Sequence, residues 1–168
     1  MRKILICLGL MACTPGSFAQ QPSQDTPQSE QEASASQNDS FTKFEYQGFV
    51  FAIPASVRMN ETSKEAIGKC EDGTFGMSIK VEKDKAASGN AAVEMCRRMV
   101  TELSVADARV TKLLVHGMVG AKMEGNVEGS PLTMLILAAD GKFVKVVIIN
   151  TPQRADWVNL VLDSVTRK

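Results

Sequence analysis

The 168-residue chain contains a single histidine, His116. That excludes a His-rich zinc site and leaves any His-activated nucleophile dependent on this one residue. There is no Gly-x-Ser-x-Gly elbow, no His-Glu-x-x-His pair and no phosphate-cradling glycine loop. Cys-x-x-Cys spacing, which a redox centre would favour, is also absent. Acidic residues offer no dense cage for calcium: Glu71-Asp72 and Glu82 with Asp84 are short pairs, most simply solvated turns. Charge of one sign is missing too, with 19 basic residues against 19 acidic. A nucleic-acid partner would demand a clear basic excess on one face, so none is expected.

What is present begins at the N-terminus. Arg2 and Lys3 precede an apolar run from Ile4 to Ala12, broken by Pro15 and Gly16 and followed by Ser17-Phe18-Ala19. A charged start, a short apolar stretch and a small-x-small end make a secretory signal, residues 1–19. The run is nine residues long, far short of the roughly 20 needed to span a bilayer. Leu10-Met11-Ala12-Cys13 supports a second reading, a lipobox in which Cys13 is lipidated and the protein is tethered to a membrane. Cleavage after Ala19 removes Arg2 and Lys3, leaving 17 basic against 19 acidic residues, a net of −2. Residues 20–40 are rich in Gln, Ser, Pro, Glu and Asp, with Ala33 and Ala35 as the apolar exceptions. Such a stretch cannot bury enough surface to offset its ordering entropy, so a disordered linker or tail is expected.

Residues 41–168 read as one globular domain. Phe49 to Ile53, stopped by Pro54, suits a first strand, and Ala66 to Glu71 a weaker one. Phe75, Met77, Ile79 and Val81 alternate with polar or small residues, the period of a strand, and Asp72-Gly73 predicts the turn before it. A helix follows with Asn90 as its N-cap, and Ala92, Met95, Cys96, Met99, Val100 and Leu103 form its apolar stripe. Strands are expected at Val110 to Val115, Met118 to Val127, Leu132 to Ala139 and Phe143 to Ile149, the last two joined by Asp140-Gly141. These two are apolar on both faces, which predicts central positions in a sheet covered on both sides. Glycines at 117, 120, 125 and 129 suit bulges and close backbone approach. The final element is a helix from Pro152 to about Val165, with Thr151 able to cap it and Trp157 at the edge of its buried stripe. Strands, helix, strands, helix gives an α+β domain with a largely antiparallel sheet.

Four segments carry a family resemblance: Gly48-Phe49-Val50-Phe51-Ala52-Ile53-Pro54, the helix after the second hairpin, the strand pair from Gly117 to Gly129, and Asp163-Ser164-Val165. Together they resemble the PsbP-like family, whose fold is shared with a Ran-binding nuclear import factor and with bacterial exported proteins. The resemblance implies a three-layer α/β/α sandwich flanked by two main helices, and a non-catalytic accessory or binding role. It implies no functional residue, since the family shares no catalytic set.

The residues leave several chemistries open. Cys70 and Cys96 remain after signal removal, and an oxidising compartment would favour a disulfide between them, with two buried free thiols as the alternative. Closing that loop of about 26 residues would restrain the unfolded chain by roughly 3.5 kcal/mol. His116 could serve a small hydrolase-like enzyme, or simply end a strand beside Gly117. Met95, Cys96 and Met99 fall within one helical turn and, with His116, could form a soft copper site, but Met95 and Met99 lie on the face the helix must bury anyway, and core packing is the favoured reading. Lys80, Lys83, Lys85, Arg97 and Arg98 could converge as a basic rim for an acidic partner or lipid headgroups, or form a mixed solvated face with Glu82, Asp84 and Glu94. The expectation is an exported, non-enzymatic binding or accessory protein without a cofactor, its partner a protein or small molecule.

Overall fold

The computed structural model describes Ser40 to Lys168. The signal segment, Cys13, the cleavage after Ala19 and the stretch 20–39 lie outside the described residues. The described chain opens with two strands, β1 (Phe41–Tyr46) and β2 (Phe49–Pro54), joined through Gln47 and Gly48, both at positive φ. Two consecutive left-handed residues match the right-handed twist of the flanking strands. β2 is the expected opening strand. β1 is an addition to the expected elements, because Lys43 and Glu45 leave it mostly outside the core.

Three strands follow: β3 (Arg58–Glu61), β4 (Ala66–Lys69) and β5 (Phe75–Lys83). β3 is polar and mostly exposed, so nothing in its composition marks it as a strand. The turn at Asp72-Gly73 forms as expected, with Gly73 at φ 71° and the Thr74 amide donating to Asp72 Oδ1 at 2.9 Å. Helix α1 (Gly89–Glu102) starts two residues earlier than Asn90 would allow as a cap. Ser88 is the N-cap, its Oγ accepting from the Ala91 amide at 3.2 Å, while Asn90 accepts from Lys112 Nζ at 2.7 Å. Then come β6 (Ala106–Val115), β7 (Met118–Val127), β8 (Ser130–Ala139) and β9 (Lys142–Asn150). Each of the three connecting turns, His116-Gly117, Glu128-Gly129 and Asp140-Gly141, again places two residues at positive φ.

The expected single closing helix is divided. A 3-10 turn at Pro152–Arg154 leads into α2 (Ala155–Asp163), and the chain ends in β10 (Thr166–Arg167). Thr151 makes no side-chain cap; its Oγ1 is buried without a hydrogen-bond partner. Trp157 is buried rather than marginal, packed edge-on to Phe75 and Phe41 with the Arg154 guanidinium 3.9 Å from its ring centre.

The strands form two antiparallel sheets, β1-β2-β10 and β3-β4-β5-β9-β8-β7-β6. β9 and β8 lie inside the larger sheet, as their two-sided apolarity predicts. Along β8, Leu132, Met134, Ile136 and Ala138 point to one core while Leu135, Leu137 and Ala139 point to the other. Helix α1 covers the first core over β6, β7 and β8, and α2 with β2 covers the second. The architecture is thus α+β with a helix on each face, the small sheet sharing one outer layer with α2. Close approach explains two strand glycines: a Cβ on Gly120 would meet the Ile136 carbonyl oxygen, and one on Gly125 the side chain of Val105.

Candidate functional site

The two cysteines are free thiols held in separate cores. Cys70 follows β4 and belongs to the core beneath α2, 4% exposed, with Ser56 Oγ 3.5 Å from its sulfur. Cys96 belongs to the core beneath α1 and is fully buried. The seven-stranded sheet lies between those cores, so the expected bridge does not form. Burial pushes the Cys96 thiol up to about 11, and its Sγ points at the Ala121 carbonyl 3.9 Å away. A neutral thiol in a sealed core is a poor nucleophile and a poor metal ligand.

His116 is exposed at the β6–β7 turn, with φ 45°. Its Nε2 is 2.7 Å from the Asp163 carbonyl oxygen at the end of α2. A carbonyl only accepts, so Nε2 carries the hydrogen and donates. The ring thereby satisfies an end-of-helix carbonyl and fastens the turn to α2. The neighbouring hydroxyl, Ser164 Oγ, donates to the Val161 carbonyl at 2.7 Å and accepts from the Ala52 amide at 2.7 Å. Both of its obvious roles are structural, and the pair lacks a nucleophile-to-base hydrogen bond. Met95 and Met99 pack against the α1 core, whereas His116 is tied to α2 on the other side of the sheet. The alternative soft-metal set is not brought together, and the methionines pack as core residues.

Of the two readings of the basic residues, the ion pairs fit the mixed solvated face and not the basic rim. Arg97 pairs with Glu94 on α1 at 2.7 Å. It lies seven residues after Asn90, two helical turns, and so shares the flank that reaches Lys112 of β6. Lys80 projects on the α1 side of β5, where Glu82 lies 3.2 Å from Lys80 Nζ and 2.6 Å from Lys145 Nζ of β9. Burial works to raise the Glu82 carboxyl, but hydrogen bonds and charge from Lys145 and Lys80 outweigh it and hold the group below its ordinary value.

Lys83 belongs to a different place. It is on the opposite pleat of β5 and directly across from Lys142 on β9. At Lys142 the start of β2 and the end of β10 face the β8–β9 turn, and the seam between the two sheets opens into a cleft of about 390 Å³. Gly48, Phe49, Arg167 and Lys168 line one wall; Asp140 and Lys142 line the other. Arg167 Nη1 reaches across to both Asp140 oxygens at 3.2 and 3.1 Å. Lys168 Nζ turns outward to Glu45 Oε2 at 2.6 Å. Hydrogen bonds from Lys168 and Lys43 drop the Glu45 carboxyl to about 2. Nothing in the sequence singles out Lys142, Arg167 and Lys168, because only the folded register brings the two turns together. A cleft of this size is on the scale of small-ligand pockets, roughly 300–1,000 Å³.

No family model and no curated protein matches the chain. Solved structures do. The solution structure of cyanobacterial PsbP from Synechocystis sp. PCC 6803 superposes with a TM-score of 0.60 at 15% identity, covering 77% of this chain and 94% of that one. A crystal structure from Bacteroides thetaiotaomicron VPI-5482 matches with a TM-score of 0.52 at 15% identity, over 77% of this chain and 49% of that one. At such identities the likeness speaks for the fold, and the fold is PsbP-like.

Proposed function

We propose that the chain is an exported, non-catalytic binding or accessory protein, periplasmic or secreted. The signal-like start supports export, with lipid attachment at Cys13 as the alternative route that would hold the protein at a membrane. No helix among the described residues is long and apolar enough to cross one. The PsbP-like fold is compatible with an accessory or binding role. The observation that carries the non-catalytic reading is the commitment of His116 Nε2 to the Asp163 carbonyl, beside a serine whose hydroxyl is already used twice.

Purified protein assayed against ester, amide and phosphoester substrates should show no turnover that His116→Ala abolishes. Turnover that disappears in this variant would overturn the proposal in favour of a hydrolase-like enzyme. In the same preparation, stoichiometric Cu(I) binding abolished by Met95→Leu with Met99→Leu would instead identify a copper carrier.

A further inference from the structure

The β5–β9 ladder contains two lysine–lysine pairs, and the protein treats them differently. Lys80 opposite Lys145 and Lys83 opposite Lys142 are both direct cross-strand neighbours. Like charges directly opposite one another destabilise an antiparallel pair. At Lys80 and Lys145 the fold answers this with Glu82, which ion-pairs with both ammonium groups. At Lys83 and Lys142 no carboxylate among the described residues lies within ion-pair distance of either lysine. The two acids closest in sequence are engaged elsewhere: Asp84 Oδ1 accepts from the Ala86 amide, and Asp140 holds Arg167. Lys142 also lines the seam cleft, with the Arg167 guanidinium facing it from the other wall. Of the three cationic side chains that line the cleft, Arg167 is paired with Asp140 and Lys168 with Glu45, which leaves Lys142 as the one without a carboxylate among the described residues.

We propose that this cleft binds a small, multiply charged oxyanion, a phosphate-bearing or polycarboxylate molecule. The anion would do for Lys142, and for Lys83 directly across from it, what Glu82 does for Lys80 and Lys145, and the Arg167 guanidinium, held to Asp140 through Nη1, would offer its remaining N–H groups from the facing wall. The volume is on the scale of a low-molecular-weight ligand. This proposal rests on the reading of the chain as a binding module.

The test is an amide chemical-shift titration of the full chain with pyrophosphate and with citrate, each at constant ionic strength. Saturable shifts are expected at Gly48, Gly141 and Arg167, and the tighter of the two probes identifies phosphate or carboxylate as the preferred chemistry. The double variant Lys83→Gln with Lys142→Gln should weaken binding about tenfold or more, through loss of charge-assisted contacts. Lys64→Gln with Lys69→Gln, two exposed lysines on the β3–β4 loop and β4, makes the same change in net charge and should leave affinity unaltered. Absence of saturable shifts, or equal weakening in both double variants, overturns the proposal. Either result leaves the non-catalytic reading intact, whereas His116-dependent turnover would remove that reading without bearing on the cleft.

Discussion

On the side of the seven-stranded sheet that faces β2 and α2, the core contains Tyr46, Phe49, Phe51, Phe75 and Trp157. On the side beneath α1, Phe143 is the one buried aromatic among the described residues, surrounded by Ala92, Cys96, Ala121, Met123 and Met134. The first side is assembled from segments distant in sequence, with β2 meeting β5, β8, β9 and α2. Large rigid rings fill the space between two sheets and a helix, where their area contributes most. The second side is a helix laid on a sheet, and small residues at Ala92 and Ala121 let their backbones approach. Methionines fill what remains, as unbranched side chains adapt to irregular gaps. One side is specified by shape, the other by proximity.

Truncation should expose that difference most strongly. Phe51 is fully buried between the two sheets. Phe51→Ala should destabilise the domain by about 3–5 kcal/mol, measured by denaturant unfolding. On the other side Met123 is equally buried, yet Met123→Leu keeps volume and polarity and should cost less than about 1.5 kcal/mol. If the methionine swap proves as costly as the phenylalanine truncation, the contrast between a shape-specified and an adaptable core is broken.

The same contrast governs what can be read from the sequence. β8 and β9 are legible because a strand apolar at Leu132 and Met134 as well as Leu135 and Leu137 has to be covered twice. α1 is legible through its apolar stripe, although its cap is not: Ser88 and Asn90 are both good cap residues, and in the fold Ser88 caps the helix while Asn90 accepts from Lys112. β1 and β3 escape because edge strands bury little, so their residues need not alternate cleanly. The separation of Cys70 from Cys96 depends on which pleat of the sheet each one meets, a property of register and not of spacing. The seam cleft is illegible for the same reason. Gly48, Asp140 and Arg167 stand far apart in the chain, and the pairing of β10 with β2 is what brings them to one edge. Lys83 stands out as a basic residue, but its partner Lys142 emerges only from the β5–β9 register.

The sealed side should also carry a pH dependence of its own. Burial raises the Cys96 thiol from 9.0 to about 11. A group whose folded value lies above its unfolded value favours the fold at low pH and loses that contribution as pH rises. The unfolded chain ionises Cys96 above about pH 9, while the folded chain resists until about pH 11. Stability should therefore decline across that window by about 2–3 kcal/mol through this residue, since a tenfold change in proton affinity corresponds to about 1.4 kcal/mol. Cys96→Ala should flatten the decline relative to wild type in unfolding measured from pH 8 to 11. An unchanged slope would mean that the helix-side core admits water.

The smallest expected effect tests the separation of the cores directly. Cys70 and Cys96 are buried on opposite faces of one sheet, and a disulfide demands Cα atoms within about 7 Å. A bridge could form only if the β7–β8 region or α1 moved away from its native packing. Adding a reductant to protein recovered from an oxidising compartment should consequently leave its melting temperature unchanged, and mass analysis without reduction should count both thiols as free. A closed loop of about 26 residues would otherwise lower stability by roughly 3.5 kcal/mol when opened, a change easily resolved by thermal melting. A reductant-dependent fall of that size would place both cysteines in one core and dissolve the two-sided description of the sheet.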